Sequence, residues 1–184
     1  MNVFKFKDSI TPDLNDLKIE SANFDLVSVS LDFAEDIFRE FTEEITEFMI
    51  PSPPSCKAES EEFIMKSMQG MRESHELVLA ILSKSGEFMG CVGFHCRGKC
   101  NTPEYGVWLK KAAHGKGLGK DAITALHHWA RVHIEFEYAI YPVDKANIAS
   151  RKIPESLDGK ITGEATVPTW SGGKLNEVIY HISA

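Results

Sequence analysis

The chain has 184 residues, of which 43% are hydrophobic and 26% charged, a length and balance that allow a sizeable buried core. Its formal net charge is −7 and its basic residues are scattered, which argues against the clustered positive footprint of a nucleic-acid binder. No apolar run approaches bilayer length, and the start, Met1 to Asp8, lacks the apolar core of a signal peptide, so a cytoplasmic location without membrane contact is expected.

In chain order the pattern predicts one mixed α/β domain over residues 1–184, with 1–20 carrying no clear element and readable as a loose extension. Phe24 to Val29 alternates as a first strand, polar against apolar. Leu31 to Phe41 has apolar residues at 31, 34, 37, 38 and 41, a helical spacing for which Ser30 is the expected N-cap. Thr42 to Met49 reads as a short second helix stopped by Pro51, Pro53 and Pro54, since proline cannot continue it. A third helix is expected over Glu59 to Glu73, then a hairpin of Glu76 to Leu82 and Glu87 to His95 across Ser83-Lys84-Ser85-Gly86. Glu104 to Leu109 supplies the next strand, followed by a glycine-rich turn and a helix-like run from Asp121 to Arg131. Glu137 to Tyr141 reads as a buried strand, Asn147 to Leu157 as a helix, and Ile161 to Val167 with Leu175 to Ile182 as a closing hairpin.

Four cysteines stand at positions 56, 91, 96 and 100, the last three near His95. Their spacing matches no usual pair of zinc knuckles, so reduced thiols are expected, with neither metal nor disulfide framework.

The turn His114-Gly115-Lys116-Gly117-Leu118-Gly119-Lys120 carries the chemistry. A glycine-rich turn entering a helix offers several main-chain N–H groups and the positive end of the helix dipole to one anion. Three glycines in five residues let the backbone approach that anion, so the expected ligand is a phosphate or pyrophosphate. Asp121 follows Gly119-Lys120 where a P-loop needs serine or threonine, and G-x-G-x-G fails the dinucleotide spacing. On these seven residues alone, an ordinary strand-to-helix turn explains the glycines equally well.

The flanks decide between the two. His114-x-x-Gly117-x-Gly119 resembles the Q/R-x-x-G-x-G/A motif of the GNAT superfamily of acyl-CoA-dependent N-acyltransferases. Pro103 to Leu109 resembles the A-E-I-G-Y-W-L strand of its RimJ/RimL-like branch, and Val143-Asp144-x-x-Asn147-x-x-Ser150 continuing to Leu157 resembles that branch's next segment. The resemblance runs over roughly residues 87 to 164 and implies a mostly antiparallel central sheet, splayed at the coenzyme site and flanked by helices.

It further implies transfer of an acetyl group from acetyl-CoA to a primary amine in a ternary complex, with no metal. The amides of Gly115, Lys116, Gly117, Leu118, Gly119 and Lys120 would meet the pyrophosphate, with His114 and Lys116 beside it. The segment Val107-Trp108-Leu109 would line the pantetheine arm, Val107 and Leu109 by strand-like main-chain pairing while the Trp108 ring packs in the core. Asn147 would hydrogen-bond the pantetheine, or simply cap its helix. Glu104 is the expected general base, or else an exposed strand-end carboxylate.

The family's tyrosine acid is missing, because its position falls on Pro154. Ser150 is the expected substitute donor to the sulfur, with Tyr138 and Tyr141 behind it, and Pro154 should be tolerated only in the first turns of its helix. The helices of 31–49 and 59–73 would roof the amine pocket, with Phe48 and Met49 in the core. Acceptors within the branch range over protein N-termini, amino acids, polyamines and drugs, and the resemblance allows a monomer or a homodimer through the last hairpin. The alternatives are a non-catalytic acyl-CoA-binding or sensory module and an unrelated phosphate-binding protein.

Overall fold

The computed structural model describes residues 3–7 and 11–184. Among the described residues ten strands form: β1 (Lys5–Phe6), β2 (Lys18–Glu20), β3 (Phe24–Ser28), β4 (Glu76–Ser83), β5 (Phe88–His95), β6 (Glu104–Leu109), β7 (Ile134–Glu135), β8 (Tyr138–Asp144), β9 (Lys160–Pro168) and β10 (Lys174–Ser183). The helices are α1 (Ala34–Glu40), α2 (Glu43–Thr46), α3 (Lys57–Arg72), α4 (Leu118–His133) and α5 (Ile148–Glu155). Eight strands make one sheet in the order β2-β3-β4-β5-β6-β8-β10-β9, and β1 pairs with β7. Every neighbour in the large sheet is antiparallel except β6 and β8, which run parallel. The expected mixed, mostly antiparallel sheet with flanking helices is therefore what forms.

The central strands are apolar on both faces because helices cover both. Leu77 to Ile81 of β4 and Val92 and Phe94 of β5 are buried, and such continuous runs suit a doubly covered sheet. On one face α4 lays Ala122, Ile123, Leu126 and Ala130 into the core, the stripe expected of an amphipathic helix. Its buried His127 meets the Tyr105 hydroxyl at 2.9 Å. Burial above all, with Arg131 and His128 nearby, lowers that imidazole to about 4, so it stays neutral and serves as a core polar pair. On the other face α1 packs with α3, and Phe41 at the end of α1 meets the Trp108 ring at 4.8 Å.

Several expectations change. The run over 31–41 splits into a 3-10 turn, Leu31–Phe33, and the shorter α1. Ser30 makes no cap bond, because its hydroxyl donates to the Asp32 carboxylate at 3.2 Å instead. The helix expected over 42–49 keeps only Glu43–Thr46, and Phe48 and Met49 are half-buried outside the core cluster. Where described, 1–20 is not loose: Phe4 and Leu14 are buried, β1 pairs with β7 and β2 joins the sheet. Residues 1, 2 and 8–10 of that stretch lie outside the described residues. The thiol expectation also changes, since Cys96 and Cys100 form a disulfide four residues apart, while Cys56 and Cys91 are free. A turn that brings the two Cα atoms to 4.3 Å makes the bridge a local one, which composition alone does not reveal. No helix is long and apolar enough to cross a membrane among the described residues.

Candidate active site

The site begins with the two edges of β6. On one side six residues pair with β5, from Glu104 opposite His95 to Leu109 opposite Gly90. On the other side β6 and β8 keep a single register position, Glu104 beside Ile140. The Ile140 N–H donates to the Pro103 carbonyl at 2.7 Å, so main-chain groups of residue 103 face β8. Strand alternation then turns those of Val107 and Leu109 toward β8 as well. Beyond Ile140 the strands part, and these groups face the gap. Pro142 sits at the next β8 position facing that gap. Without an N–H it cannot extend the ladder, which is why proline is tolerated in this otherwise interior strand.

Beyond Leu109 the chain makes one 3-10 turn, Lys111–Ala113, and reaches the glycine loop. Gly115 and Gly117 hold φ of 76° and 75°, a left-handed conformation that costs a residue with a Cβ roughly 1–2 kcal/mol. Gly117 is the residue from which α4 departs, so the first-turn amides of Leu118, Gly119 and Lys120 have no partner within the helix. His114 to Gly117 and Lys120 are exposed, and Leu118 and Gly119 half-buried. A Cβ on Gly119 would lie 3.4 Å from Ile153 of α5 and 3.6 Å from Leu109, so this residue sets how closely the loop meets both elements.

Two side chains turn away from the expected anion position. The His114 ring donates from Nε2 to the Leu109 carbonyl at 2.9 Å, and Lys116 donates to the Ala112 carbonyl at 3.1 Å. His114 thus occupies one of the main-chain groups at the gap, while Lys120 lies 3.9 Å from Asp121.

Across the gap stands α5. The Asn147 side chain accepts from the Ser150 N–H at 3.2 Å and caps the helix. The Ser150 hydroxyl is 2.9 Å from the Tyr141 hydroxyl. Burial pushes the Tyr141 phenol up to about 12, against the lowering effect of that hydrogen bond. It therefore stays protonated, and when it donates to Ser150 the serine hydrogen is free to point elsewhere. Pro154 lies in the last turn of α5, not the first. Its missing N–H costs one helical hydrogen bond, to the Ser150 carbonyl, at the end of a helix that stops at Glu155, and its own carbonyl accepts from Leu157 and Gly159.

On the sheet face under α1 and α3, paired residues form one row: Glu76, His95, Glu104, Ile140 and His181. Glu104 is partly exposed, with Arg97 at 3.5 Å. His95 Nδ1 lies 2.6 Å from the Glu76 carboxylate. Glu177 lies on the same face and is buried; burial first, then the charges of Glu104 and Asp144, raise its carboxyl. Asp144 accepts from the N–H groups of Ala146 and Asn176, each at 2.8 Å. The neighbourhood on this face was not anticipated from the sequence, which left His95 and Glu177 out of the candidate site. For His95 the signal was the G-x-H of Gly93-Phe94-His95 aligned with Gly106 of the next strand. Among the described residues no cluster suits a metal ion. A surface depression of about 470 Å³ beyond β8, lined by Asp144, Lys145 and Glu164 among others, does not reach the glycine loop.

These features, a strand opened on one edge and an exposed glycine turn feeding a helix, agree with the comparisons. The acetyltransferase (GNAT) domain family matches residues 25–160. No curated protein matches the sequence significantly. Among solved structures, RimL, the ribosomal L7/L12 alpha-N-protein acetyltransferase in complex with coenzyme A, superposes with a TM-score of 0.80 at 13% identity, covering 91% of this chain and 98% of that one. The Salmonella typhimurium acetyl transferase that modifies the N-terminal serine of L7/L12 gives 0.78 at 14% identity, covering 91% and 99%. The microcin C7 self-immunity acetyltransferase MccE, in complex with acetyl-CoA and AMP, gives 0.79 at 21% identity, covering 96% and 99%. The chain belongs to the acetyltransferase (GNAT) domain family, the acyl-CoA-dependent N-acetyltransferases.

Proposed function

We propose that this protein transfers the acetyl group of acetyl-CoA to a primary amine by direct attack in a ternary complex, in the cytoplasm and without a metal. The observation that carries the reading is the gap between β6 and β8, edged by β6 main chain that β8 does not pair and opening beside the glycine turn. The amides from Gly115 to Lys120 hold the pyrophosphate, where main-chain donors and the α4 dipole act together. Lys116 and His114 lie at its margin and swing from their present partners, Ala112 and Leu109, when the coenzyme binds. The pantetheine runs along Val107 to Leu109 as an added strand. The Trp108 main chain faces β5 between these two residues, and its ring stays against Phe41 and Phe88.

The amine arrives from the α1–α3 side, where Glu104 meets the ammonium and opens a path for its proton. The thiolate leaves toward α5. Ser150 protonates it, resupplied by Tyr141, and Asn147 holds the helix end in place through its cap. This relay favours catalysis over a silent coenzyme-binding module: a buried phenol that stays protonated is what the missing family tyrosine would otherwise supply.

The test is calorimetry with acetyl-CoA, ATP and NAD, then thiol release with a panel of N-terminal peptides, amino acids and polyamines. Acetyl-CoA alone should bind, and at least one amine should release thiol. Ser150→Ala should lower kcat ~100-fold with acetyl-CoA affinity kept, the usual size of a general-acid effect. Equal binding of ATP, or no thiol release with any amine, overturns the reading.

A further inference from the structure

The Glu76–His95 pair has a geometry that core packing does not require. His95 is the last residue of β5 and shares its sheet face with Glu104, its partner on β6. Its ring lies back over Gly93 and Gly106, which are themselves paired across the two strands. A Cβ on Gly93 would collide with Nε2, and one on Gly106 would stand 3.5 Å from it. The two glycines therefore form the slot in which the imidazole rests.

Nδ1 is bound to Glu76 Oε1 at 2.6 Å, with the two side chains only 14% and 23% exposed. Burial alone would raise the Glu76 carboxyl, but the hydrogen bond from His95 above all, with Arg97 nearby, holds it below its ordinary value. An ionised carboxylate only accepts, so Nδ1 donates to it and Nε2 is the ring nitrogen left for a second partner. Nε2 has no hydrogen-bond partner among the described residues. It lies over Gly93, with Gly106 of β6 beside it, on the sheet face that Glu104 shares.

We infer that His95, oriented by Glu76, is the catalytic base of this protein, taking the proton of a cationic acceptor amine through Nε2. The inference rests on the acetyl-transfer reading above and deepens it. Glu104, next in the row and 3.5 Å from Arg97, holds the ammonium, while His95 removes its proton. The neutral nitrogen then attacks the thioester carbon, forming the C–N bond, and the C–S bond breaks. The second nitrogen proton is lost as the amide forms, the sulfur gains one proton from Ser150, and one proton in all passes to solvent. Glu76 touches no reacting atom and is a positioning residue.

A base is needed only when the acceptor is protonated. The experiment compares a primary alkylamine, cationic at neutral pH, with methoxyamine, which is already neutral. His95→Gln should lower kcat/KM for the alkylamine by ~100-fold, the lower end of general-base effects, and leave methoxyamine within about twofold, well inside a single tenfold step of 1.4 kcal/mol. Added imidazole should restore part of the alkylamine rate in His95→Gly. Glu76→Ala should lower kcat more than it changes KM, and Glu76→Asp should recover most of it. Acetyl-CoA affinity and Tm measured on each variant exclude misfolding. Equal losses on both amines, or none on either, overturn the base assignment while acetyl transfer stands. A wild-type protein that releases thiol with neither amine overturns both.

Discussion

The two edges of β6 show how one strand serves both stability and chemistry. Toward β5 it is paired along its whole length, and behind that seam Phe94 packs on Tyr105 at 4.7 Å, Phe4 at 5.6 Å and Phe136 at 5.5 Å. Toward β8 it is held at one position, and what stands behind is polar: the Asn147 cap and the Tyr141–Ser150 pair. Unpaired main chain inside a protein is costly, so an open edge can persist only if the closed edge and core hold the strand rigidly. The closed seam carries the stability that the open one gives up.

That contrast can be broken first at the closed seam. Phe94→Ala removes a fully buried ring and should cost ~4 kcal/mol, as for other core aromatics; urea unfolding would show it, while acetyl-CoA affinity of the folded fraction stays unchanged. The reverse pattern is expected at the loop. Gly117→Val places a branched side chain at φ 75°, where the strain is ~1–2 kcal/mol. It should weaken acetyl-CoA binding at least tenfold by calorimetry, with a smaller loss of Tm. The finest test is Pro142→Val, which returns an N–H to the β8 edge facing the gap. If the missing donor helps to hold the strands apart, the variant should gain about 0.5 kcal/mol of stability, the low end for one hydrogen bond, and bind acetyl-CoA a few-fold more weakly. A variant that loses stability instead would assign the splay to α5 packing alone.

Much of the fold was legible because periodicity is local. The strand Glu104–Leu109 and the β4–β5 hairpin stand where alternation and turn residues put them. Helix ends were less legible: α4 starts at Leu118, three residues before the apolar pattern suggests, because the glycine turn itself feeds the first turn. Strand β8 runs through Pro142 to Asp144, which a proline rule applied to sequence alone forbids and an open edge permits. In the candidate site, the loop glycines were readable from spacing, and Asn147 and Ser150 from the family resemblance. The Glu76–His95 pair was not, since 19 residues separate the partners and only strand register brings them together.

The sequence by itself determined the order of elements, the family and the place of the glycine turn before α4, because these depend on hydrophobic period, glycine backbone preference and short spacings along one stretch of chain. The tertiary structure alone decided which edge of β6 opens, that His114 turns to Leu109, and which side chains share the face under α1 and α3. Those outcomes depend on register and on neighbours distant in the chain, and a one-residue slip in pairing would send each of those side chains to the opposite face.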